Sequence, residues 1–470
     1  MVGILDSFRS VMPKLESFFE GKFYPPIVAF LVAAGHITGS EFYMNIILLS
    51  MAWVAFIVCR STLFMITPLV CFIYQVTLVH SPGFPTFSDY YFKGAKLVIV
   101  LILAVITFGL IIFRFAVNLK REIDLKTPLL VSLCALSAAF LCNGAFSAEW
   151  KISDLVLGFV EAVAFLFVFY LFYFGLSGHS SDKLIDYLCY ATLWIALVLI
   201  AESAFMYITY DNLISLNDGS IIKDNINLGW GISNPIAASM AVLIPVLIYG
   251  AMRMKYPIIY FAVAFLTYIG SVVTMSRNAL IFATLVLLVS LVIGCFKGKR
   301  KIPFIITTIV CILCALCGIT LLWSRISELF SSMIEQGFAD NGRFNLWRMG
   351  YENFLAAPIF GKGFFGFGDA GVFEAASFIP TTAHNTVIQL LSSMGIIGLI
   401  FYCYYRVESL VPLVRKPSLA KTMLYLSIFV LVGMSLLDSF IFFVYPMYYA
   451  NIALAIIFRI DAEEKSALFA

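Results

Sequence analysis

Four side chains in this sequence have the types and settings to act on an anion: Arg277, Arg343, Arg348 and His384. Guanidinium groups grip phosphate oxygens through paired, charge-assisted hydrogen bonds, so two or three of them suit a diphosphate. A neutral imidazole near pH 7 can take a proton from a hydroxyl as that hydroxyl attacks. Arg343 and Arg348 lie in the longest polar interruption late in an otherwise apolar chain, and His384 stands in Thr381-Thr382-Ala383-His384-Asn385, where apolar sequence resumes. Read as a helix starting after Asp340 and Asn341, the segment puts Phe344, Trp347, Tyr351 and Phe354 on one stripe at the 3.6-residue period. Arg343 and Arg348 then flank that stripe on opposite edges. Arg277 falls in the short turn Ser276-Arg277-Asn278 between two long apolar runs. Snorkelling to water would account for any one arginine, and backbone bonding for the histidine. Their expected position on one side of the membrane is what argues for a shared head-group site.

The elements that must position these residues are membrane helices. Of the 470 residues 62% are apolar and 12% charged, against roughly 25% charged in a soluble domain, and the mean hydropathy is +0.99. Apolar runs of about 20 residues fill the chain almost end to end, and a lipid-exposed backbone must satisfy its own hydrogen bonds, so each run must be helical. The expected fold is an all-α polytopic membrane protein with about 12–14 transmembrane helices, forming a single transmembrane domain over residues 1–470. The spans read as 25–37, 41–59, 62–80, 96–117, 127–147, 153–176, 184–209, 231–252, 256–275, 278–296, 302–323, 383–404, 421–440 and 443–459. A cytoplasmic N-terminus places roughly 21 of the 30 Lys and Arg inside, which is the bias of the positive-inside rule. A large loop, 324–382, then faces outward and carries part of the site. Its start, with Ile326, Leu329, Phe330, Met333 and Ile334, has the pattern of a short amphipathic interfacial helix.

Other signals carry less. A net charge of +3 with no long basic tail gives no reason to expect nucleic acid. The cysteines sit in apolar segments and imply no disulfide framework. The N-terminal residues lack the apolar core of a secretory signal. Gly361, Gly363 and Gly366 match G-x-G-x-x-G by letter, with no strand before them and no helix beginning there. Cys311, Cys314 and Cys317 recur on one helical face of a span, a pattern of packing more than of metal binding. Glu161, Glu202 and Asp438 are carboxylates in or near spans; they could line a polar cavity, but pairing with Ser, Tyr or a buried arginine is the plainer account. His36 and His80 fall near outer helix ends and His179 in a cytoplasmic turn, none with the polar setting of His384. No aspartate-rich metal motif is present, so metal-independent chemistry with no cofactor is expected. Neither a 20–50 residue repeat nor an inverted pair of broken helices is legible, which weighs against a transporter.

One stretch resembles a known family. Ser276-Arg277-Asn278, Gly342-Arg343 with Leu346-Trp347, Pro358-Ile359-Phe360-Gly361-Lys362-Gly363, Ala383-His384-Asn385, Gln389-Leu390, and Gly395 with Gly398 follow the order and spacing of the O-antigen ligase and O-antigen polymerase superfamily of bacterial envelope enzymes. The likeness covers residues 276 to 398; earlier sequence matches only as a string of membrane helices. It implies a glycosyltransferase of the bacterial inner membrane that takes a saccharide from undecaprenyl diphosphate and passes it, on the periplasmic face, to an acceptor sugar hydroxyl. Arg277 and Arg343 would bind the donor diphosphate and His384 would activate the acceptor; Arg348 is added from helix geometry. The expected partners are that lipid-linked donor, a glycan or lipid-linked acceptor, the bilayer and other polysaccharide-assembly membrane proteins. The N-terminal segment and extra spans favour a polymerase over a ligase acting on a lipid A-core acceptor, and a flippase of polyprenyl-linked glycans is the reading from another class. One base with no evident carboxylate nucleophile points to inversion at the anomeric carbon.

Overall fold

The computed structural model describes residues 12–75, 94–118, 126–210, 213, 223–298, 301–321, 342–367, 382–440 and 444–469. Over these residues the chain is an all-α polytopic membrane protein. In order, the helices are α1 (Tyr24–Thr38), α2 (Glu41–Val58), α3 (Ile66–Ile73), α4 (Ala95–Asn118), α5 (Leu130–Leu141), α6 (Ile152–Ala162), α7 (Val168–Gly175), α8 (Ser181–Thr209), α9 (Ser233–Ala241), α10 (Ile244–Arg253), α11 (Pro257–Val273), α12 (Arg277–Lys297), α13 (Lys301–Leu321), α14 (Arg343–Ala356), α15 (Thr386–Arg415), α16 (Leu419–Met434) and α17 (Val444–Phe469). Seven helical stretches are long and apolar enough to cross a membrane, and six shorter apolar helices of 10–17 residues join them. The expected amphipathic helix at 324–334 and His80 lie outside the described residues, as do residues 324–341 and 368–381 of the loop expected to face outward.

The helices begin where a polar side chain can take up free N–H groups. Asn385 accepts from the backbone of Val387 and Ile388, Ser276 from Ala279, and Ser418 from Lys421. Lys or Arg occupies the last turn of α10, α12 and α15, where it complements the helix dipole. The α9–α10 rod forms the middle of the bundle: its whole apolar window is buried, and it packs against α8, α11, α12, α16 and α17. By contrast α4 buries none of its window; Trp53 Nε1 donating to Thr107 Oγ1 at 2.9 Å ties it to α2.

Two helices depart from regularity. Between α6 and α7 the chain makes a π turn, Val163–Phe167, and Asn451 of α17 donates to the Ala164 carbonyl at 2.7 Å there. Helix α15 opens at Gly395 (φ 66°, ψ −161°), a conformation that favours glycine. The opening is filled by the backbone of the loop after α14. Ile396 N donates to Pro358 O at 2.9 Å, Lys362 N to Ser392 O at 2.8 Å, and Gly363 N to Ser393 O at 3.1 Å. A Cβ at Gly395 would sit 2.3 Å from Ile359 O. A broken helix was not anticipated from the sequence, and here its freed groups are consumed by protein.

The expected span 421–440 ends early, at Met434, because residues 435–440 turn back over the start of α15: Thr386 N donates to Ser435 O at 3.0 Å and Asn385 Nδ2 to Leu436 O at 2.9 Å. At the far end of α15, Lys421 is fully buried. Its Nζ donates to the carbonyls of Pro412 (3.4 Å) and Lys416 (3.1 Å) and to Asp461 (3.1 Å) and Glu464 (2.8 Å). Replacing Lys421 by Ala should therefore lower the unfolding free energy by about 2 kcal/mol, because buried acceptors lose a donor although Asp461 keeps Lys465 and Arg415. Thermal unfolding in detergent measures this, and a wild-type melting temperature would show that the network holds nothing.

Candidate functional site

His384 is one of four non-glycine residues with positive φ (49°) among the described residues, a costly conformation that its neighbours hold in place. Gln389 Oε1 accepts from Ala383 N at 2.7 Å while its Nε2 donates to Ser393 at 2.8 Å. Asn385 caps α15 and reaches the 435–440 turn. Between these clamps the imidazole Nδ1 meets Asp438 Oδ1 at 2.8 Å. Asp438 is 3% exposed and the His384 side chain 38%. An ionised carboxylate can only accept, so a neutral ring paired with it carries its proton on Nδ1 and its lone pair on Nε2. Asp438 is further fixed by the Ser439 N–H on Oδ1 (2.8 Å) and Asn234 Nδ2 on Oδ2 (3.0 Å). This pairing replaces the Ser, Tyr or Arg partner expected for Asp438 from sequence. A separation of 54 residues offers no periodicity to reveal it; the available signal was an acid at the end of an apolar span on the same side as His384.

Arg277 opens α12. The end of the bundle it occupies follows from the packing of its neighbours. Ser271 near the end of α11 donates to Ala237 O in α9, and Tyr207 near the end of α8 donates to Val273 O. Asn234, at the start of α9, touches Asp438. The α11–α12 turn thus lies at the His384 end of the bundle. Arg343 opens α14, which packs beside α15: a Cβ on Gly350 would meet Ile388, and Asn353 donates to Ser392 at 3.3 Å. Both numberings rise together, so the helices run parallel, and the first turn of α14 reaches the level of His384. Arg343 shares the face of Gly350. Arg348 lies on the opposite face, exposed and paired with Glu352 at 3.7 Å, so the structure does not bring it beside His384. The aromatic stripe forms as two ring pairs, Phe344–Trp347 (5.3 Å) and Tyr351–Phe354 (6.4 Å), but the packed face is Gly350 and Asn353, while Phe344 and Tyr351 are exposed.

The glycine run is structural. Gly361 (φ 68°) has α15 backbone 2.3 Å from a would-be Cβ, and Gly363 (φ 96°) has the Asp154 carboxylate at 2.5 Å. Asp154 Oδ1 accepts from Phe365 N at 2.9 Å and Asn143 Oδ1 from Phe364 N at 3.2 Å. Gly144 N donates to both Phe360 O and Ser393 O. The first half of the chain therefore receives the loop and steadies α15. Glu202 accepts from Trp230 Nε1 at 2.8 Å. Among the described residues no cluster of three or more His, Cys, Asp or Glu has metal-binding geometry.

Residues 261–403 match a family model described as O-antigen ligase. The match bears out the resemblance to the O-antigen ligase and polymerase superfamily, and no curated protein matches the chain. The matched stretch carries Arg277, Arg343, Arg348 and His384; Asn234 and Asp438 lie outside it. Its loop docking is open to test. Gly361→Ala should strain the turn and release the loop, so that trypsin cuts after Lys362, which in the native chain is held to Glu149 at 3.0 Å. Unchanged resistance at Lys362 would mean the loop stays docked without glycine there.

Proposed function

We propose that this O-antigen ligase-type membrane enzyme transfers a saccharide from an undecaprenyl-diphosphate donor to an acceptor sugar hydroxyl on the outer face of the cytoplasmic membrane, extending a polysaccharide as a polymerase. The observation that carries the reading is the His384–Asp438 pair, half open to solvent, at the same end of the bundle as the arginine-bearing starts of α12 and α14. His384 Nε2 takes the proton of the acceptor hydroxyl as its oxygen bonds to the anomeric carbon. The bond from that carbon to the diphosphate oxygen breaks, and the electron pair leaves with undecaprenyl diphosphate. Arg277 and Arg343 balance the charge that develops on the leaving group, a role fixed cations perform without reorganising. Arg348 belongs to the outer approach, where its exposed charge draws the head group in. Attack opposite the leaving group inverts the anomeric centre, and the arginines make a metal unnecessary.

A lipid donor also needs a path for its tail. An apolar cavity of about 250 Å³ lies between α12 and α16, lined by Phe282, Leu285, Val289, Leu426 and Phe429. Its walls are the helix that starts with Arg277 and the helix that leads to Asp438, which favours an amphiphile with its head at that end. The family description favours a second reading, a ligase that moves a finished glycan onto a lipid core; the N-terminal segment and extra helices are what favour a polymerase.

Purified protein in nanodiscs, given a defined undecaprenyl-diphosphate oligosaccharide, should build a product ladder; one shifted band on an added lipid core would make it a ligase. His384→Ala should abolish transfer while donor still binds, and altered flux without transfer would indicate a transporter. Arg277→Ala and Arg343→Ala should each cost about 10- to 100-fold in kcat/KM, as expected for a lost charge-assisted bond of about 1.5–3 kcal/mol. Arg348→Ala should cost less than about threefold, in line with an exposed pair. Activity should survive EDTA, and product NMR showing retained configuration would refute inversion.

A further inference from the structure

The base proposed at His384 is held by residues outside the stretch that matches the family model. Asp438 comes from the turn after α16, and the donor to its second oxygen, Asn234, from the start of α9. We propose that Asn234 is a positioning residue for His384, acting through Asp438.

The carboxylate is gripped at both oxygens. Oδ1 takes His384 Nδ1 and the Ser439 N–H, and Oδ2 takes Asn234 Nδ2. Rotation about the Cβ–Cγ bond moves both oxygens, so the bond at Oδ2 adds to the two at Oδ1 and the carboxylate cannot turn without straining bonds on both sides. An amide suits the position because it donates without adding charge. Among the described residues Asp438 is the charged group against the imidazole, while Asn234, Ser439 and Asn385 around the pair are neutral. A lysine or arginine at 234 would neutralise Asp438 and weaken its hold on an imidazolium.

Asn234 is itself set by a built support. The turn before α9 closes on itself, with Leu228 N donating to Gly231 O at 2.9 Å and Gly229 N to Asn227 Oδ1 at 2.8 Å. Trp230, 1% exposed, anchors this turn: its indole donates to Glu202 of α8 at 2.8 Å and its ring lies 4.7 Å from Tyr74. A buried Trp–Glu bond thereby fixes where α9 starts, and α9 in turn aims the amide at Asp438.

The inference rests on His384 being the base, and two measurements separate its failure from failure of that reading. The first needs no substrate. In full-length protein in nanodiscs, diethyl pyrocarbonate labelling of His384, read by mass spectrometry across pH, should differ between wild type and Asn234→Leu. Without the amide donor the carboxylate is held less firmly, the ring it steadies moves more freely, and His384 should be labelled faster than in wild type. The second uses transfer from an undecaprenyl-diphosphate oligosaccharide. Asn234→Leu should lower kcat by about tenfold with the donor KM within about twofold of wild type. In an Asp438→Asn background the same change should cost less than about twofold, since residues acting through one another are not additive. Equal losses in both backgrounds, or a labelling profile identical to wild type, would overturn the proposal. If wild type transfers nothing yet the labelling profile moves, Asn234 positions His384 and the glycosyltransferase reading fails alone.

Discussion

Within a membrane bundle a backbone carbonyl without a donor costs several kcal/mol, and the opening of α15 at Gly395 creates several such groups at once. Everything near His384 depends on how they are paired. Ser392 and Ser393 offer their carbonyls to Lys362, Gly363 and Gly144, while Ile396 and Ile397 donate to Pro358 and Ile359. A side chain at Gly144, Gly361, Gly363 or Gly395 would collide with backbone or with Asp154, which is why glycine recurs there. The outcome is a joint in which α15, the loop after α14 and the turn after α5 share one set of hydrogen bonds. The start of α15, and with it His384, inherits that rigidity.

His384 uses it for two purposes. A positive φ at a non-glycine residue stores strain, and the Gln389 and Asn385 clamps keep it from relaxing. The same clamps leave the imidazole no route away from Asp438. Each residue around the pair serves orientation: Ser439 and Asn234 fix the carboxylate, and the carboxylate fixes the ring tautomer. An imidazole built in this way is held in one orientation by the fold itself.

Apolar runs of membrane length made the helices legible, because hydrocarbon imposes one backbone solution. The alternation of spans puts the segments of Arg277, Arg343 and His384 on one side, and in the structure α12, α14 and α15 begin at one end of the bundle. Arg348 shows the limit of a helical wheel: period alone puts it on the edge of an aromatic stripe, but which face packs was decided by Gly350 and Asn353, where a missing side chain and a bond to Ser392 let α14 approach α15. Asp438 is legible as a carboxylate near a span, but its pairing with His384 is not, and Asn234 carries no signal at all. Both fall within runs read as apolar spans, and their pairing depends on a turn whose register only tertiary contacts set. Gly395 was hidden for a related reason, since a glycine in an apolar run reads as packing until its carbonyls are traced.

The two ends of the bundle treat charge in opposite ways. At the end away from His384, Lys421 is enclosed by carbonyls and by Asp461 and Glu464. Likewise Glu20 lies against His179 and Lys183 and accepts from Ser61. Burial raises the Glu20 pKa, yet these partners outweigh it and hold the carboxyl down to about 2. Stability from a lowered carboxylate is present above its unfolded value near 4.5 and is lost as pH falls through about 2, so the Glu20 carboxylate stays ionised at physiological pH. Such networks spend their charge on each other and leave none for a ligand. At the His384 end the imidazole keeps one nitrogen uncommitted and two arginines stand at helix starts. Ionisable groups in a membrane protein are costly to keep, and the end where α12, α14 and α15 begin holds its imidazole on a single carboxylate, where the opposite end encloses its lysine between two.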